Sequence, residues 1–99
     1  MARFDVYRNA GGAGYLLDVQ SDLLQGLNTR VVVPLLPPEE APQPARRLNP
    51  VLKVERTQVV MTTQFLAAVA DSELGQAITR LEQDRDEITA ALDMLFIGF

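Results

Sequence analysis

The side chains that most often carry chemistry are scarce in this chain. It has no histidine and no cysteine. The commonest general base, the commonest metal ligand and the thiolate nucleophile are therefore missing together. A Ser–His–Asp or Cys–His arrangement cannot form. Serine occurs only at Ser21 and Ser72, each beside an acidic residue, a setting that suits turns. Lys53, the only lysine, lies between Leu52 and Val54, so on a strand it points away from their face. Asp84, Asp86 and Glu87 could in principle gather a hard cation, but they lack the glycine-turn spacing of a calcium loop. They suit the start of a helix instead, where negative side chains complement the macrodipole. Gly11-Gly12-Ala13-Gly14 lacks both a following helix and the lysine of a phosphate-binding loop, so it reads as a hairpin turn. The residue inventory favours a binding module over an enzyme, with no cofactor and no metal.

The elements that would position such a module fit in one domain over residues 1–99. The length allows one core and no more, and 47% of the residues are hydrophobic, as in globular chains. The formal net charge is −4, and among the 9 basic residues only Arg46 and Arg47 are adjacent. A nucleic-acid binder shows a basic patch or stripe, so any action on DNA is expected to pass through a partner. The N-terminus has no apolar signal region, and no apolar run reaches the length of a membrane span. A cytoplasmic location is the expectation.

Arg3 to Tyr7 alternates polar and apolar and predicts a first strand. Tyr15 to Gln20 predicts a second, joined through the glycine-rich turn. Arg30 to Leu36 is the strongest strand signal, with Val31-Val32-Val33 at its centre. Pro34 cannot donate to a ladder, which predicts an edge or a bulge there. All 6 prolines fall between Pro34 and Pro50, so the segment around Pro37–Pro44 is a long polar loop. Val51–Val54 and Gln58–Met61 predict a hairpin, the latter strand running on through Thr62 toward Val69. Asp71–Gly75 is a turn, and Gln76–Leu81 fits either strand or helix. From Gln83 the period becomes helical, with Ile88, Leu92, Leu95 and Phe99 on one apolar face, widened by Ala91 and Phe96. Ile97 falls off that stripe and predicts an exposed apolar contact.

Several of these segments resemble the CcdB toxin family in order and spacing. They are Phe4-Asp5-Val6-Tyr7, Leu17-Asp18-Val19-Gln20-Ser21-Asp22, Arg30-Val31-Val32-Val33-Pro34-Leu35, Leu48-Asn49-Pro50-Val51, Met61-Thr62-Thr63 and the ending Phe96-Ile97-Gly98-Phe99. The resemblance implies an α+β fold: an SH3-like antiparallel β-barrel of about five strands, a small extra sheet and a C-terminal α-helix. It implies a homodimeric toxin that binds the DNA gyrase A subunit and traps gyrase on cleaved DNA without catalysis. It also implies neutralisation by a CcdA-type antitoxin, and operator binding only through the antitoxin complex.

Carried over by position, the gyrase contacts become Ile97, Gly98 and Phe99, with Asp93 one turn earlier and the apolar pair Leu23 and Leu24. The antitoxin contacts fall on Arg8, Asn9, Gly11 and Gly12 of the first loop and on Arg46 and Arg47. One departure stands out, because the poisoning toxins of the family carry tryptophan where this chain has Ile97. That favours a second reading, a non-toxic or differently targeted relative that binds antitoxin as a regulatory module. A third reading, a small ribonuclease sharing the barrel, would have to rely on Arg, Asp and Thr.

Overall fold

The computed structural model describes residues 1–99. Strand β1 (Asp5–Arg8) pairs antiparallel with β2 (Tyr15–Asp18), Val6 opposite Leu17. A 3-10 turn at Asp22–Leu24 leads to β3 (Thr29–Leu36). Then come β4 (Val51–Val54), β5 (Thr57–Met61), β6 (Ala67–Ala70), the short β7 (Thr79–Arg80) and the helix α1 (Arg85–Phe96). The sheet order is β4-β5-β3-β2-β1-β7, with β6 also on β3. Every pairing is antiparallel. The result is a nearly closed barrel with a C-terminal helix, an α+β SH3-like architecture. The β4–β5 hairpin is continuous with this sheet, joining β3 at Leu35↔Met61 and Leu36↔Val60, so the expected small extra sheet does not form separately.

Side-chain alternation along the strands explains where the core lies. Val33 and Leu35 of β3, Val6 of β1, Leu17 of β2 and Met61 of β5 meet Ile88 and Ala91 of α1 in the main core. The opposite face carries a smaller cluster, in which Tyr7 and Val32 pack under Leu74 with Leu16 and Val69 beside them. A sheet buried on both faces at its centre accounts for the nearly unbroken apolar run of β3.

Two further sequence expectations need correction. Pro34 lies on the central strand rather than at a sheet edge. β3 pairs with β6 through Thr29–Val32 and with β5 through Leu35 and Leu36, so one side of β3 passes from one neighbour to the other. The Pro34 carbonyl accepts the Thr62 amide at 3.0 Å and the Thr62 hydroxyl at 2.7 Å. The proline thus faces the junction between β5 and β6, where its missing N–H breaks no ladder bond. The strand of Gln58–Met61 also does not run on to Val69. Residues Thr63–Phe65 form a 3-10 turn, because the Thr62 and Thr63 hydroxyls bond the backbone at Pro34 and Leu48 and draw the chain out of the ladder. Of the two alternatives left open for Gln76–Leu81, the strand forms, as the two-residue β7 that pairs with Asp5 and Val6.

The proline-rich segment carries no strand or helix between Leu36 and Val51, yet its end is pinned. Asn49 is buried; its side-chain oxygen accepts the Ala45 amide at 2.9 Å, and its Nδ2 donates to the Met61 carbonyl and to Gln64.

Candidate functional site

Two apolar surfaces stand out from the core. The first is the turn after β2. Leu23 is 94% exposed, with Leu24 and Leu27 about half exposed beside it in the chain. The turn is built from polar side chains that precede it. The Ser21 hydroxyl accepts the Leu23 amide at 3.2 Å, and Asp22 Oδ1 accepts the Arg3 amide at 2.8 Å. That backbone donor holds the Asp22 carboxyl below its usual range. Underneath, the Arg30 Nε donates to Asp18 Oδ2 at 2.7 Å with both side chains buried. This bond raises the Arg30 guanidinium above its ordinary value.

The second surface is the end of α1. Ile88 and Ala91 are fully buried and Leu92 packs beside them, as the helical period predicts. The stripe does not extend to Phe99. Helix α1 ends at Phe96, and the Ile97 and Gly98 amides both donate to the Asp93 carbonyl, at 2.7 and 3.0 Å. Gly98 then takes φ +94°, the left-handed conformation that ends helices and that glycine adopts freely. The turn throws Phe99 off the helical face, so it is 72% exposed rather than core. Phe96, which the period placed on the widened core face, is also exposed. Ile97 is exposed as expected, Asp93 is half-buried and Leu95 is half-buried. No hydrogen bond joins the Leu23–Leu24 turn to α1 or to the residues after it.

The six residues carried over as antitoxin contacts divide between two places. Arg8, Asn9 and Gly12 line a surface hollow of about 360 Å³ together with Gly14, Tyr15, Pro37, Thr57 and Val59. Gly11 is exposed beside it, its amide held by the Asn9 side chain at 3.1 Å. Arg47 lines a separate hollow of about 290 Å³ with Pro50, Glu87 and Ala90 of α1, while Arg46 is exposed on the loop. Sequence reading missed the contribution of Tyr15, Pro37, Thr57 and Val59, which only strand pairing brings alongside the first loop. It also missed the buried Asp18–Arg30 pair. A signal for that pair existed, since Asp18 continues the period-2 face that Leu16 begins and so needs a buried counter-charge.

The charged groups form three ion pairs: Asp18–Arg30, Asp5–Arg80 and Glu82–Arg80. No group of three acidic residues is placed to hold a metal ion. No helix is long and apolar enough to cross a membrane.

The architecture is a nearly closed antiparallel barrel with a C-terminal helix packed on its core. The chain is similar in fold to a solved endoribonuclease in complex with its cognate antitoxin from a mycobacterial species. The TM-score is 0.78 at 20% identity, over 100% of this chain and 98% of that one. The chain belongs to the CcdB family, whose model, described as CcdB protein, matches residues 3–98. Family membership supports a place in a toxin–antitoxin module.

Proposed function

We propose that this chain is a toxin that binds the A subunit of DNA gyrase and traps the enzyme on cleaved DNA. It acts in the cytoplasm as a homodimer and catalyses nothing itself. A CcdA-type antitoxin neutralises it, and the two together repress their operon. The observation that carries this reading is the end of α1 and the residues after it: Phe96, Ile97 and Phe99 stand exposed at the position where the family presents its target contacts. Asp93 and the Leu23–Leu24 turn complete the proposed surface. The hollow at Arg8, Asn9 and Gly12 and the loop at Arg46 and Arg47 offer cationic ground for the antitoxin.

The experiment removes residues 97–99. Truncation should abolish growth inhibition and gyrase-dependent DNA cleavage while thermal unfolding stays close to that of the whole chain, because none of the three residues is buried. Undiminished toxicity in the folded truncated protein overturns the assignment. Ile97 itself favours the second reading, a relative that keeps antitoxin binding without poisoning. Ile97→Trp then separates the two, since added aromatic area at an exposed site strengthens a stacking contact. Poisoning by the natural chain supports the first reading. Poisoning only after the substitution supports the second. RNA degradation by the purified protein, without gyrase, would replace both with the activity of its structural neighbour.

A further inference from the structure

Beneath the Leu23–Leu24 turn runs a continuous set of buried polar contacts. Asp18 is fully buried and uses both oxygens. Oδ2 takes the Arg30 Nε at 2.7 Å, and Oδ1 takes the Gln20 amide at 3.0 Å. That second bond bends the chain at the end of β2, as an aspartate does when it accepts an amide two residues on. Gln20, itself buried, then reaches in two directions. Its Oε1 accepts the Val31 amide at 3.0 Å, and its Nε2 donates to the Leu24 carbonyl at 3.2 Å. The turn beyond has no core contact of its own: none of its residues is buried, and Leu23 is almost wholly exposed.

We infer that Gln20, aimed by the Asp18–Arg30 pair, is a positioning residue that ties the exposed Leu23–Leu24 turn to β3 and sets its pose for the partner. Gln20 touches no partner itself. It converts a loop with few buried contacts, a type that otherwise moves, into a preorganised surface, so that a partner does not have to order it on binding. Arg30 enters because its guanidinium fixes which way Asp18 faces, and Asp18 fixes the backbone from which Gln20 projects. The inference rests on the reading of Leu23 and Leu24 as target contacts.

The test uses Gln20→Glu and Gln20→Met in the full chain. Glutamate keeps an acceptor for the Val31 amide and loses the donor to Leu24. Methionine keeps the volume without charge. In each folded variant the backbone order parameters at Leu23, Leu24 and Gln25 should fall from roughly 0.85 to below about 0.6, while those at Val6, Leu17 and Val33 stay unchanged. Affinity for the gyrase A subunit should drop roughly tenfold, measured at a temperature where the variants, which lose buried hydrogen bonds, are still fully folded. Unchanged order parameters overturn the tether, and a mobile turn with undiminished affinity overturns its role. In the natural chain the Gln20 side-chain amide protons must resist exchange with solvent; free exchange overturns the inference without any variant. Failure of the natural chain to bind the A subunit counts against the proposed target alone, since the order parameters and exchange still decide the tether.

Discussion

Gly14 and Gly98 both have positive φ, +80° and +94°, but for different reasons. A Cβ at Gly14 would stand 2.1 Å from the Leu35 carbonyl oxygen, whereas one at Gly98 would meet nothing within 4 Å. Gly98→Ala should therefore cost only the left-handed penalty, about 1–2 kcal/mol. Gly14→Ala must in addition push the first hairpin off β3, and should cost about 3 kcal/mol or more. Denaturant unfolding of the two variants measures the difference, and equal costs would refute the close approach. Tyr7 offers a second measurement at this scale. Its hydroxyl is pushed up from 10.0 to about 12 by burial, then by the charges of Asp5 and Asp18, with Arg30 opposing. A raised folded value means that stability from this group is complete below pH 10 and is lost as pH rises toward 12. The loss should reach about 2–3 kcal/mol. It should be absent in Tyr7→Phe, when urea unfolding of the two proteins is compared at pH 8, 10 and 12.

At the scale of elements, α1 is held by a narrow contact. Ile88 and Ala91 are its buried residues, and the helix has no side-chain cap at its start. Its stability comes from docking on the barrel rather than from local propensity. Ile88→Ala should cost about 2–5 kcal/mol, while an alanine at exposed Gln83 should change stability by less than about 0.5 kcal/mol. Similar small values at both positions in thermal unfolding would mean that α1 is not docked. The chain after α1 obeys different rules. Its helix-ending glycine leaves Ile97 and Phe99 outside the packed region, so changes there should move binding and spare stability.

For the whole molecule, the balance of buried and exposed apolar surface favours self-association. Beyond the proposed target contacts, Leu27, Val51 and Phe65 are each about half exposed. A domain of this size buries too little surface to be stable by a wide margin, and association covers more. The expected outcome is a homodimer in sedimentation at micromolar concentration, retained after removal of residues 97–99. A monomer alone under those conditions would overturn the dimer and, with it, any site shared between two copies.

Much of this protein was legible without a structure because it depends on local pattern. Alternation in Arg3–Tyr7, the apolar stretch of Tyr15–Gln20 and the β-branched run within Arg30–Leu36 located three strands. Ile88, Ala91 and Leu92 located the buried side of α1, since periods of 2 and 3.6 follow from backbone geometry. The ordered motifs from Phe4-Asp5-Val6-Tyr7 to Phe96-Ile97-Gly98-Phe99 were enough to place the family. Tertiary structure decided what local pattern cannot carry. Pro34 is tolerated at mid-sheet because two strands share one side of β3, and Thr62 and Thr63 end a strand because acceptors wait at Pro34 and Leu48. Phe99 left its apolar stripe because one left-handed glycine redirects everything after it. The Asp18–Arg30–Gln20 network joins residues on two strands and a turn. Alternation marks Asp18 as buried but does not name its partner, and only folding brings Arg30 and the Val31 amide, 12 and 11 residues from their partners, within bonding distance.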